Sequence, residues 1–168
     1  MSVSVVRVEE LLTSLHLPHE VKRHAPIMSV QEALESGVLA ELGITAGSIV
    51  KNVLLNDIAG ACYLLVAPGM GRTDLKAMAQ RIGSTRLSFA SRTTFSSVFG
   101  PAKGPVTLFD LLDDDDRTRN VHLVLDSRVS EIAGNTAFHI GTNTVSVLVR
   151  AADTPTIASA IQPSYMTI

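Results

Sequence analysis

The sequence predicts an α+β fold, a mixed α/β arrangement in which helices flank a twisted, mixed but mostly antiparallel sheet. Three observations lead there. Some segments carry apolar residues at helical spacing, and others alternate with a period of two. Several strand-like segments follow one another with only a turn between, which favours antiparallel neighbours over a doubly wound parallel sheet. The 168 residues are 46% hydrophobic and 18% charged, enough to bury one core, so positions 1–168 are read as one domain.

In "RVEELLTSLHL", Val8, Leu11, Leu12 and Leu15 form a helical stripe that Pro18 ends. A short strand, "HEVKRH", follows. Ser29 and Glu32 have capping-box spacing and open a helix that runs through "SVQEALESGVLAELG" to Gly43. "SIVKNVLLN" and "ACYLLVA" are two strands joined by the turn "DIAG". Thr73 is placed to cap the next helix, whose stripe is Leu75, Met78, Ala79 and Ile82 and whose stop is Gly83. Ser91 caps a short helix, "RTTFSSVF", and the loop "GPAKGP" leads into "VTLFDLL". "VHLVLD" is a strand, and "AFHIGTNTVSVLV" is a strand pair or one bent strand. Pro155, behind Thr154, takes the first position of a final helix.

Composition excludes several function classes. A net charge of −2 provides no global basic field for nucleic acid, so any RNA contact needs a local patch. The single cysteine, Cys62, lies in a strand and cannot form an internal disulfide, which fits a reducing compartment. No apolar run approaches the ~18 residues of a membrane span, and the first residues lack the pattern of a signal peptide. The expectation is a cytosolic protein without membrane association.

Lys51 is the first residue that calls for an explanation. In "SIVKNVLLND" it shares a strand face with Ile49, Val53 and Leu55, where an unpaired ammonium is costly unless it meets a cavity, an anion or water. Asn52 lies on the opposite face. His139 and Asn143 share parity with Val145, Val147 and Val149 if their strand is regular, although Gly141 suggests a bulge. Gly104, in "KGPVTLF", lets backbone approach a ligand, and successive N–H groups there can form an anion nest to which Pro105 gives none. The other histidines (His16, His19, His24 and His122) show no metal spacing, and "PGMGR" lacks the phosphate-binding patterns. "DDDD" at 113–116 reads as a solvated loop. No metal and no cofactor is expected.

Taken together, these segments resemble the YbaK/ProX family of aminoacyl-tRNA deacylases over nearly the whole chain. "HEVKRHAPIMSVQEAL" looks like the family's opening strand and acidic helix. "VKNVLLND" resembles its lysine strand, usually KNLFLKD. "DLKAMAQRIGSTRLSFAS" is similar to its helix followed by a basic residue and Ser-Phe. "GPVTLFDLLDDD" resembles its glycine loop, usually GSVTPFALLND. "VHLVLD" and "FHIGTNTVSV" look like the closing strands, usually FHPLVNTATV. The KN pair and the FH…N element resemble most the branch that removes alanine from mischarged tRNA(Pro).

The resemblance implies Lys51 and His139 as catalytic-site residues, with Asn52 beside the lysine and Arg86 as a basic substrate contact. It implies Gly104, Pro105, Val106, Thr107 and Leu108 as the substrate loop, and Asn143 with His139 as the far wall. Lys51 would bind the terminal adenosine's phosphate or the developing oxyanion. Loop N–H groups would hold the oxyanion, and the substrate's 2′-hydroxyl would position the water. The implied partner is mischarged tRNA, with prolyl-tRNA synthetase or a multi-synthetase assembly as a second. Pro105, Leu108 and Ile140-Gly141 depart from the family pattern at what should be the pocket wall, so they bear on amino-acid specificity. Removal of cysteine, serine or threonine, or a tRNA-binding scaffold without turnover, are the alternative readings.

Overall fold

The computed structural model describes residues 2–113 and 115–168. Asp114, within the acidic run, lies outside the described residues. The mixed α/β class holds, but the strands divide between two sheets. Strands β1 (His19–Arg23), β6 (Asn135–Ile140) and β7 (Thr142–Arg150) form an antiparallel sheet in the order β1-β7-β6. Strands β2 (Val50–Asn56), β3 (Cys62–Pro68), β4 (Ser88–Phe89), β5 (Val121–Leu125) and β8 (Met166–Thr167) form the other, in the order β4-β2-β3-β5-β8. In that sheet β2 is antiparallel to β3 and β4, whereas β3, β5 and β8 run parallel.

The principal core lies between the sheets. Val66, Leu123 and Leu125 from one meet Phe138, Val145, Val147 and Val149 from the other. Helices α1 (Val5–Ser14) and α6 (Thr154–Ile161) close this core through Val8, Leu12 and Ile157. Alternation along β2 and β3 sends Leu55, Tyr63, Leu65 and Ala67 to the opposite face. There they pack on Met78 and Ala79 of helix α4 (Leu75–Ile82), part of the stripe read from the sequence. Helix α5 (Arg92–Phe99) is capped by Ser91, whose hydroxyl accepts from the Thr94 N–H at 3.1 Å.

Three local expectations need correction, and one open alternative is resolved. The helix expected from Ser29 to Gly43 is two helices, α2 (Val30–Glu35) and α3 (Val38–Leu42). Gly37, at φ +78°, sits between them in the left-handed region that only glycine enters cheaply. Asp74, not Thr73, caps α4, accepting from the Ala77 N–H at 2.9 Å. Pro155 is the second residue of α6 rather than the first. "AFHIGTNTVSVLV" is a strand pair, turned at Gly141 with φ +70°, and the register slips between His139 and Ile140. His139 is therefore opposite Ser146 rather than in phase with the valines of β7.

Among the described residues no helix is long and apolar enough to cross a membrane.

Candidate functional site

The α2–α3 segment packs on the outer face of the three-stranded sheet through Ala33, Val38 and Leu42 against Leu148. Between this segment, the start of β2, the loop before residue 108 and the end of β6 lies a hollow of about 260 Å³. Lys51, Asn52, Pro105, Val106, Thr107 and His139 all border it. Its apolar wall comes from Ile27, Met28, Val30, Leu39 and Ile44.

Consecutive residues of β2 point to opposite faces, so Lys51 and Asn52 are separated by the sheet. The Asn52 side chain faces the loop, and its Oδ1 accepts from the Leu108 N–H at 3.2 Å. Lys51 lies on the α4 side, where its Nζ donates to the Gly71 carbonyl at 3.0 Å. The lysine borders the hollow that holds His139, but its ammonium is directed towards Gly71.

The loop 104–107 is tethered at both ends. Lys103 and Asp110 form a buried ion pair at 2.5 Å, with side chains only 2% and 4% exposed. Asp110 also accepts from the Thr107 N–H at 2.8 Å, and the Thr107 hydroxyl donates to the His139 carbonyl at 3.1 Å. Thr107 has thus committed its N–H to Asp110, and Pro105 has none to give. An anion nest built on the whole loop is reduced to the N–H groups of Gly104 and Val106, and of these only Val106 borders the hollow.

His139 is tied to His24 through Ser146. The Ser146 Oγ lies 3.1 Å from His139 Nδ1 and 2.8 Å from His24 Nε2, while His24 Nδ1 donates to the Ala25 carbonyl at 2.8 Å. A carbonyl only accepts, so this network assigns the proton of His24 to Nδ1. With that proton on Nδ1, His24 Nε2 accepts from the Ser146 hydroxyl. Ser146 then accepts from His139 Nδ1–H, and His139 Nε2 is left as a bare acceptor. Burial, and then the neighbouring His24, push the His139 pKa down to about 4, with a backbone hydrogen bond at Val145 opposing them. His139 is thus neutral at pH 7.

Other residues singled out in the sequence lie elsewhere. Arg86 is exposed and lines a separate depression between α4 and β4. Leu108 and Ile140, expected on the pocket wall, are buried in the principal core at 0% and 3% exposure. Asn143 does not border the hollow; its Nδ2 donates to Met28 Sδ at 3.0 Å and so holds a wall residue. Of the acidic run, Asp115 pairs with Arg117 at 2.7 Å, which holds its pKa down at about 2, and Asp116 pairs with Arg119 at 3.1 Å. No group of three or more potential metal-ligating side chains occurs among the described residues.

Sequence reading missed the α2–α3 wall, His24, Ser146 and the Lys103–Asp110 pair. Capping-box spacing located the first of these but gave no hint of its role. His24 and Ser146 are 122 residues apart, so no spacing rule could join them.

The family model described as an aminoacyl-tRNA editing domain matches residues 24–157. The prolyl-tRNA editing protein ProX of Acetoanaerobium sticklandii is 30% identical over 152 residues, covering 89% of this chain and 87% of that protein. The fold is similar to the crystal structure of the hypothetical protein APE2540, with a TM-score of 0.68 at 19% identity and coverage of 96% and 97% of the two chains. It is equally similar to a crystal structure described as a candidate trans-editing enzyme for prolyl-tRNA synthetase. There the TM-score is 0.67 at 20% identity, with 99% and 97% covered.

Proposed function

The chain belongs to the aminoacyl-tRNA editing domain family, and from that premise we propose that residues 1–168 act as one cytosolic editing domain that removes alanine from mischarged tRNA(Pro). The family activity is hydrolysis of an aminoacyl-tRNA ester. The finer reading concerns which amino acid is removed and which residues remove it.

The observation that carries this reading is the convergence of Lys51, Asn52, the Pro105–Thr107 segment and His139 around one small, apolar-walled hollow. The aminoacyl group enters between the α2–α3 wall and β6. His139 Nε2, a neutral acceptor, takes a hydrogen bond from the α-ammonium. The carbonyl oxygen turns towards the Val106 N–H, which receives the charge that develops as water attacks the carbonyl carbon. The bond to the ribose oxygen breaks, and a proton from the water returns to that oxygen by way of the 2′-hydroxyl. Free alanine and deacylated tRNA leave. Lys51, with its ammonium beyond the strand, holds a phosphate of the 3′ end rather than the carbonyl. Prolyl-tRNA synthetase supplies the mischarged tRNA.

Size selects the substrate. A pocket discriminates by ~1–3 kcal/mol per methylene, so a synthetase that accommodates proline mischarges smaller amino acids. A second site that is too small for proline corrects the error. Here Ile27, Met28, Val30 and Leu39 set that limit.

The test is ester loss from tRNA(Pro) charged separately with alanine, cysteine or proline. Rapid loss of alanine alone is expected. Preferential loss of cysteine reassigns the substrate, and stability of all three esters leaves only a scaffold role.

A further inference from the structure

Strand β4 is two residues long and pairs with β2 only at Leu55 and Asn56. Earlier in β2, Lys51 and Val53 face the α4 side with no β4 residue paired beside them. Helix α4 starts only at Leu75 and does not seal this end of the face. A hollow of about 410 Å³ remains, bordered by Val53, Leu65, Leu75 and Phe89, with Lys51 and the exposed Arg72 also on its border.

Three properties of this hollow point to one ligand chemistry. Phe89 presents an aromatic ring that is 67% exposed, an unusual position for a residue whose register partner Leu55 is fully buried. Val53, Leu65 and Leu75 make the interior apolar, while Lys51 and Arg72 supply positive charge. The Thr73 Oγ1 on the same border is buried and, among the described residues, has no hydrogen-bond partner. A purely apolar ligand would leave that hydroxyl unmatched, and a free anion would make no use of the phenyl ring. A flat ring with polar edges, joined to a phosphate, satisfies all three. Lys51 borders both hollows, so one side chain lines each.

We propose that this second hollow is a nucleobase slot for the unpaired 3′ end of tRNA, in which a base stacks on Phe89, its edge meets the Thr73 hydroxyl, and Lys51 and Arg72 hold the adjoining phosphate. The inference rests on the editing reading of the first hollow. Stacking on an exposed aromatic side chain, combined with nearby cations, is how proteins commonly hold single-stranded nucleic acid.

The probe is uncharged tRNA(Pro) whose terminal adenine is replaced by 2-aminopurine, titrated to saturation with the full chain. Wild-type protein quenches the fluorescence as the base stacks. Phe89→Ala removes the quenching and weakens binding about tenfold, within the range of one base–aromatic stack. Phe89→Trp retains both. Because Phe89 is exposed, Phe89→Ala folds normally, which circular dichroism checks. Absence of quenching with wild type, or equal quenching and affinity in wild type and Phe89→Ala, overturns the slot. The latter is the outcome expected if Phe89 docks a protein instead. Alanyl-ester hydrolysis by the wild type, run in parallel, keeps the two readings separate. Hydrolysis without stacking overturns the slot alone, whereas no hydrolysis overturns the editing reading.

Discussion

The Asn52 side-chain carbonyl accepts a hydrogen bond from the Leu108 backbone N–H at 3.2 Å, tying strand β2 to a loop 56 residues away. Asn52→Ala leaves that N–H without its partner, at a cost of ~1–3 kcal/mol. The denaturant midpoint should fall accordingly and deacylation should slow, because the loop loses its link to the sheet. Asn52→Asp keeps an acceptor and should retain most of the stability. An unchanged midpoint for Asn52→Ala would show that the contact contributes nothing.

The Lys103–Asp110 pair should behave as a buried ion pair. Lys103→Met strands the Asp110 carboxylate in the interior and should cost about 3–5 kcal/mol in urea unfolding. Combining it with Asp110→Asn removes the stranded charge while keeping an acceptor for the Thr107 N–H, so much of the loss should return. If the double variant is no more stable than Lys103→Met, stranded charge is not the cause.

His139 gives folding a pH dependence of defined sign. Its folded pKa of about 4 lies below the ordinary 6.5, so between these values the unfolded chain binds the extra proton. Its contribution is fully present above pH 6.5 and is lost as pH falls towards 4, on the order of 3 kcal/mol in all. His139→Gln should flatten this part of the stability profile. Parallel wild-type and variant profiles from pH 7 to 4 would place the lost stability elsewhere.

Ser146 should fix the tautomer of His139. Nitrogen-15 spectra of the wild-type imidazoles should show His139 protonated at Nδ1. Ser146→Ala should move the proton towards Nε2, and Ser146→Thr should restore it. A His139 already protonated at Nε2 in the wild type rules out the relay.

Lys51→Ala should fold, because the side chain is only half-buried and its ammonium bonds an exposed backbone carbonyl, that of Gly71. Its deacylation rate should drop ~10²-fold or more if the ammonium holds the substrate's 3′ end. Lys51→Arg should recover part of the rate, since it restores the charge but not the shape. Near wild-type turnover by the alanine variant refutes the assigned role.

Local order was legible in the sequence wherever one short segment decides the outcome. The Ser91 cap, the turn at "DIAG" and the Leu75–Met78–Ala79–Ile82 stripe each depend on residues close together in the chain. The unusual setting of Lys51 was legible too, because period-two alternation exposes a charge in an apolar row. The direction of its ammonium was not, since that depends on Gly71 lying across the α4 face. The break at Gly37 was hidden because an isolated glycine inside a helical pattern is tolerated at a cost of only ~1 kcal/mol and so does not by itself mark an end. The pocket wall was misplaced for a different reason. Leu108 and Ile140 sit beside site residues in sequence, but each side chain turns into the principal core, and which side it takes is set by contacts with distant elements.

The opposite orientations of Lys51 and Asn52 make β2 sensitive to chain length. Inserting or deleting one residue between Asn52 and Val53 would put this pair out of phase with Leu54 and Leu55, which β3 holds in register, and so exchange the two side chains across the sheet unless a bulge absorbed the change. A residue added before Lys51 would instead be taken up by the turn at 46–48, because pairing with β3 fixes the phase of both side chains. Indels in this protein should therefore be tolerated at the 58–60 hairpin tip and rejected between Asn52 and Val53, even where point substitutions survive.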